Sequence, residues 1–237
     1  MNPFIQKIIF NLRYPNIAKI RKKNLTYLSK GALLNLSRNV RRVEQNNIPG
    51  ILIEAGCALG GSAIMIGLAK SRNRRLNVYD VFGMIPPPSG YDGNDVHHRY
   101  RIIKEGKSKG INGELYYGYE QDILQKVKKN FLDFGLNEKD HIHLIGGLYD
   151  ESLLIGEPVA FAHIDCDWYA SVMTCLKRIE PNLSPGGIMI IDDYNDWSGC
   201  KRAVDEFFRA DDKEGHFSFK IEFNKLVIEK TKGCSPA

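Results

Sequence analysis

The sequence predicts a doubly wound α/β domain: a mostly parallel, seven-stranded sheet closed by an antiparallel hairpin and preceded by a helical arm. Three observations point there. From residue 31 onward, seven short β-rich runs alternate with helical patterns; Gly, Asp or both follow the first, second, fourth and fifth runs; the last two runs lie close enough to pair directly. Strands alternating with helices take right-handed crossovers into a parallel sheet.

Residues 1–30 form the arm. Lys7, Arg13, Lys19, Arg21, Lys22, Lys23 and Lys30 stand there without one acidic residue, and Phe4, Ile5, Ile8, Ile9, Phe10 and Leu12 supply apolar faces. Lys7 interrupts the apolar stretch and no small-residue cleavage site follows, which disfavours a signal peptide. A helix packing on the domain or on a partner subunit is the plain reading. Membrane-surface or nucleic-acid binding is the alternative. The formal charge of +5 belongs to this arm, because residues 31–237 hold 26 basic against 28 acidic residues.

The domain, residues 31–237, opens with a helix over Ala32–Gln45, whose Leu33, Leu34, Leu36, Val40 and Val43 recur at near-helical spacing. Pro49-Gly50 punctuates it, and Ile51–Ile53 follow as a buried strand. Gly60-Gly61-Ser62 opens a helix to Lys70, and Leu76–Tyr79 is the second strand. Residues 83–118 are rich in Gly and Pro and long enough to be a functional loop or lid, with a short basic helix over Arg99–Lys109. An amphipathic helix over Tyr119–Phe134 stops at Gly135. Strands at His141–Ile145, Val159–Ile164 and Gly187–Ile191 alternate with helices at Ala170–Ile179 and Lys201–Arg209. Phe217–Ile221 and Leu226–Ile228 make the hairpin, turning at Asn224-Lys225.

Composition excludes several classes. With 43% hydrophobic and 26% charged residues the chain is ordinary for a soluble globular domain. At 237 residues it buries a core without disulfides or a structural metal. Its five cysteines, at 57, 166, 175, 200 and 234, are odd in number, scattered and free of C-x-x-C spacing. They read as reduced thiols in a cytoplasmic protein. No uncharged apolar run approaches the ~18–20 residues of a membrane span.

Open α/β sheets bind ligands beyond the carboxyl ends of their strands. The first strand ends in Glu54-Ala55-Gly56-Cys57-Ala58-Leu59-Gly60-Gly61, where glycine permits a tight turn and a close backbone approach. The spacing is G-x3-G-G, which supports a dinucleotide pyrophosphate site only weakly. Asp80 ends the second strand, 24 residues after Gly56, an offset suited to accepting ribose hydroxyls. The fourth strand runs into Asp165-Cys166-Asp167 and the fifth into Asp192-Asp193. If those strands are neighbours, four carboxylates meet, and a hard divalent cation such as Mg²⁺ or Ca²⁺ held by Asp165, Asp192 and Asp193 relieves the repulsion. The competing reading makes some of these acids helix caps. His97 and His98 read as solvated loop residues, and His163 as a hydrogen-bonded core residue.

The chain resembles the macrocin O-methyltransferase family, which includes mycinamicin and aminocoumarin-sugar methyltransferases. Residues 48–61, Tyr79–Phe82, Asn130-Phe131 with Phe134–Leu136, Asp165–Ser171, Leu183–Tyr194 and Cys200–Phe207 carry the resemblance, collinear over about residues 32–230. It implies a class I, Rossmann-like methyltransferase that uses S-adenosylmethionine and Mg²⁺. By this resemblance Glu54, Gly56, Cys57, Gly60, Ser62 and Asp165 shape the S-adenosylmethionine pocket and Asp80 holds the ribose. Asp165, Asp192 and Asp193 ligate the metal, and Asp167 is the general base. The expected acceptor is a small molecule with a vicinal diol, most plausibly on a sugar, and the expected assembly is a homodimer or larger. Neither a nucleic-acid partner nor a membrane span is expected. Val81 stands where the family usually has Ser, and Leu148 where it usually has Trp. The rival reading takes Asp165-Cys166-Asp167 as the D-x-D of a nucleotide-sugar glycosyltransferase.

Overall fold

The computed structural model describes residues 3–209 and 215–231, so Cys234 lies outside the described residues. In chain order the helices and strands are α1 (Pro3–Arg13), α2 (Pro15–Lys22), α3 (Lys30–Gln45), β1 (Ile51–Ala55), α4 (Gly61–Ala69), β2 (Leu76–Asp80), α5 (Asn94–Lys104) and α6 (Ile123–Leu132). They continue with β3 (Ile142–Gly146), α7 (Tyr149–Ser152), β4 (Val159–Ile164), α8 (Tyr169–Ile179), β5 (Leu183–Ile191), α9 (Ser198–Phe208), β6 (Phe217–Glu222) and β7 (Lys225–Lys230).

The strands form one sheet in the order β3-β2-β1-β4-β5-β7-β6, with β7 antiparallel to both neighbours. All five residues of β1 and all six of β4 are buried, as interior parallel strands covered on both faces should be. Alternate residues feed two cores. Leu52, Val78 and Phe161 face α2, α3, α4 and α6, whereas Ile53, Ala162 and Met189 face α8 and α9.

Helix boundaries follow local chemistry. Ser29 caps α3 by accepting from the Ala32 amide at 3.1 Å. Asp122 caps α6, which therefore begins four residues after the expected Tyr119. The loop helix α5 also differs from expectation. It starts at Asn94 rather than Arg99 and stops at Lys104, and Gly106 with φ +71° turns the chain away. Charge marked the basic stretch, but the turn geometry sets its end. The hairpin turns on Phe223 and Asn224, at φ +51° and +66°, so Lys225 is the first residue of β7 rather than a turn residue.

The arm packs on the domain. Ile17 and Ile20 of α2, with Leu25 and Leu28 beyond it, join the α3/α4 core. The Arg21 guanidinium donates to the carbonyls of Thr26 and Leu28 at 2.7 and 2.8 Å, and Lys23 pairs with Asp133 at 2.8 Å. Several of the arm's cations therefore fix local structure. Among the described residues, no helix is long and apolar enough to cross a membrane.

A candidate active site at the strand carboxyl ends

A cleft of about 530 Å³ opens beyond β1, β2, β4 and β5. It sits where chain order reverses between β1 and β4, the switch point at which open α/β sheets bind ligands. Backbone ladders set its floor. The Gly56 amide donates to the Tyr79 carbonyl at 2.8 Å, Asp165 to Ala55 at 2.8 Å, and Asp192 to Ile164 at 2.9 Å. Asp165 and Asp192 are thereby held side by side. Gly56 has φ +91°, and a Cβ there would overlap the Asp165 carbonyl oxygen, so only glycine fits.

Asp80 closes the β2 side. Its Oδ2 accepts the amides of Cys57 and Ala58 at 2.7 and 3.2 Å, and its Oδ1 accepts Phe82 at 2.8 Å. Burial raises its pKa, and the three amides oppose that shift. A carboxylate has about four acceptor positions, so Oδ1 keeps room for a hydroxyl. Gly56, Cys57, Ser62, Asp80 and Asp165 all border the cleft. Glu54 and Gly60, expected there too, do not line it. Glu54 lies fully buried beneath the floor, accepting from the Ser62 hydroxyl and meeting His163 Nδ1 at 2.9 Å. Gly60 forms the left-handed entry to α4.

The four predicted acids do converge. Donor atoms of Asp165, Asp167 and Asp193 lie within 4.8 Å of one another, as do those of His163, Asp165 and Asp192, and of Asp192, Asp193 and Asp196. Asp165 thus links the other two expected ligands, though no one of these triads contains all three. Burial first, then neighbouring carboxylates, holds Asp165 and Asp193 well above the usual carboxylate range. Asp167 is pushed up to about 6, chiefly by burial. For Asp192 burial works upward too, but His163 and Lys225 outweigh it and hold the carboxyl down. Asp192 Oδ1 and Asp193 Oδ2 are buried without a hydrogen-bond donor among the described residues. Orphaned acceptors in a cluster of like charge fit a hard, oxygen-seeking divalent cation.

Several cleft residues were not singled out from sequence. Lys225 reaches Asp192 Oδ2 at 2.8 Å and Asp196 at 3.0 Å. β7 pairs Leu226 with Ile191, which brings the preceding lysine against the end of β5, a juxtaposition only the antiparallel register reveals. Arg99, Tyr27, Tyr149 and Trp197 also border the cleft. Thr26 to Ser29 of the arm line it as well, so the arm's end is part of the site.

The loop after β2 is stapled across the cleft. Asp92 accepts the Tyr169 amide at the start of α8 at 2.7 Å, and Asp95 accepts the Ser198 amide at the start of α9 at 3.0 Å. Trp168 Nε1 donates to the Pro86 carbonyl at 3.0 Å. Trp168 and Tyr116 are both wall residues, and Trp168 also anchors the loop, while His97 and His98 are exposed. Cys57, Cys166, Cys175 and Cys200 are free and buried. Burial raises the Cys166 thiol, with smaller contributions from Cys175, Cys200 and Asp167, which rules against a nucleophilic role.

This strand order, with a glycine turn after β1 and an acid after β2, defines a class I methyltransferase fold. Residues 20–217 match the macrocin O-methyltransferase (TylF) family, and the chain belongs to it. An enzyme of Streptomyces olivaceus, 8-demethyl-8-(2,3-dimethoxy-alpha-L-rhamnosyl)-tetracenomycin-C 4'-O-methyltransferase, is 33% identical over 181 residues, 73% of this chain and 63% of that protein. Demethyldecarbamoylnovobiocin O-methyltransferase of Streptomyces niveus is 29% identical over 181 residues, 74% of this chain and 64% of the other. The chain thus spans less than two thirds of either relative's length. The solved structure of the O-methyltransferase NovP superposes with a TM-score of 0.71 at 26% identity, covering 87% of this chain and 82% of that one. The glycosyltransferase reading of Asp165-Cys166-Asp167 gives way to this family assignment.

Proposed function

We propose that the chain is an S-adenosylmethionine- and Mg²⁺-dependent O-methyltransferase acting on one hydroxyl of a vicinal diol, on a sugar or a sugar-bearing small molecule. The observation that carries this reading is the meeting of Asp165, Asp167, Asp192 and Asp193 beside the glycine turn and Asp80 in one cleft. Asp80 and the backbone at Gly56–Cys57 suit the nucleoside end of the methyl donor. Asp165, Asp192 and Asp193 would hold the cation, which when bound supplies Lewis acidity that eases deprotonation of a hydroxyl. Asp167, with a pKa pushed up to about 6, is a better proton acceptor near neutrality than an ordinary aspartate. Tyr27, Tyr116, Trp168 and Trp197 border the acceptor side, where ring faces suit a sugar. The names of the antibiotic-sugar relatives support that acceptor class. The proposal includes a cytoplasmic homo-oligomer, and a cleft this acidic is a poor seat for nucleic acid.

The test is transfer of a labelled methyl group to sugar-bearing acceptors, run with Mg²⁺ and with chelator, alongside calorimetric titration with S-adenosylhomocysteine. Binding of that ligand, weakened by Asp80→Ala, and transfer abolished by chelator are expected. Full transfer by Asp192→Ala in chelator would refute the metal-dependent mechanism.

A further inference from the structure

Beneath the acid cluster lies a row of ionisable groups of which only the last, Asp192, borders the cleft. Glu54 and His163 stand in register on β1 and β4, and their side chains are both 0% exposed. Ile164 pairs with Ile191, so Asp192 lies one step further along the next strand, on the same face as His163. Glu54 Oε2 meets His163 Nδ1 at 2.9 Å, and Nε2 on the far side of the ring faces Asp192 Oδ1 at 3.6 Å. Neither of those two facing atoms has a hydrogen-bond partner among the described residues, so each is the other's nearest polar match. Glu54 is fixed in turn by the Ser62 hydroxyl at the start of α4. Three groups that are costly to bury are thus aligned across three adjacent strands and end on an expected metal ligand. Lys225 grips the opposite oxygen of the same carboxylate at 2.8 Å. Asp192 is held from two sides, and the imidazole side cannot swing away, because the ring is packed inside the sheet.

We propose that His163 is a positioning residue for Asp192, with Glu54 behind it fixing the imidazole, and that this row sets the affinity of the site for a divalent cation. The inference rests on the metal-site reading given above. Partners that orient a ligating side chain commonly contribute ten- to hundredfold in metal affinity.

The test compares two substitutions of one residue, using Mn²⁺ as the probe and counting bound ion by electron paramagnetic resonance. His163→Gln places an amide N–H near the Nε2 position and keeps the donor toward Asp192. His163→Asn places its amide near Nδ1, keeps the Glu54 contact and loses the donor. His163→Gln is expected within about threefold of wild type, and His163→Asn about ten- to hundredfold weaker. S-adenosylhomocysteine affinity should stay within about twofold in both, since Asp80 is untouched. Packing alone would penalise the two variants alike, so equal losses overturn the proposal, as does wild-type Mn²⁺ affinity in His163→Asn. If His163→Asn does not fold, Glu54→Gln decides: about a tenfold loss is expected, and unchanged affinity overturns the proposal. A wild-type protein that binds no Mn²⁺ strikes the metal-site reading itself, and that result is read before any variant is made.

Discussion

Replacing Asp92 by alanine should loosen the strap over the cleft while leaving every strand end in place. The side chain is buried at 8% exposure and accepts from three donors: the Tyr169 amide on Oδ1 at 2.7 Å, and the Ser89 amide and hydroxyl on Oδ2, both at 2.8 Å. The first of these is an N-cap supplied from another part of the chain, because α8 has no cap of its own. Losing a cap costs about 1 kcal/mol, and bonds to a charged acceptor contribute about 1.5–3 kcal/mol each before water compensates. Half-buried Ser89 recovers water, so the net loss should be about 2–4 kcal/mol. Asp92→Asn keeps an acceptor for Tyr169 but turns N–H toward the Ser89 amide, which should cost about 1–2 kcal/mol. Gly199→Ala should act in the same direction, because its Cβ would collide with Asp92 Oδ1. Urea unfolding measures the loss, and limited proteolysis within residues 83–93 should speed up in Asp92→Ala. A variant within about 0.5 kcal/mol of wild type, with unchanged cleavage, would refute the assignment of Asp92 as the strap's anchor.

The acid cluster makes two further predictions. Asp165, Asp167 and Asp193 have raised folded-state pKa values, so in chelator the folded protein keeps protons that the unfolded chain releases near pH 4. Stability in urea should therefore fall as pH rises from about 4 to about 6, while Asp192, held low, acts only below pH 4; saturating Mg²⁺ should remove the decline. Asp167→Asn should lower kcat by about 10²–10⁴ while Mn²⁺ affinity stays within about threefold, the pattern of a proton acceptor. A loss of ion binding on the scale of Asp165→Asn would make it a ligand instead.

Much of the architecture was legible because hydrophobic period and punctuation agree along this chain. Pro49-Gly50 before Ile51, and the buried run Val159–Ile164, each sit within a residue or so of the observed strand. What was not legible depends on contacts distant in sequence. Nothing in the local sequence marks Asp92 or Asp95 within the long loop, yet each caps a helix roughly eighty to a hundred residues away. Lys225 was hidden because a hairpin displaced by one residue changes which side chain meets β5. Glu54 shares a motif with Gly56, and motif spacing does not reveal that Glu54 lies within the buried length of β1 while Gly56 lies just past its end; the carboxylate serves the core and the glycine borders the cleft.

The Gly61 amide donates to the Leu25 carbonyl at 3.0 Å, and a Cβ on Gly61 would stand 2.6 Å from that oxygen. That clasp seats residues 26–29 against the cleft. Under the proposed function, changes near residues 26–29 would reshape the cleft without disturbing any carboxylate. A chimera that exchanges the first thirty residues between relatives swaps one wall of the cleft while leaving the strand ends in place.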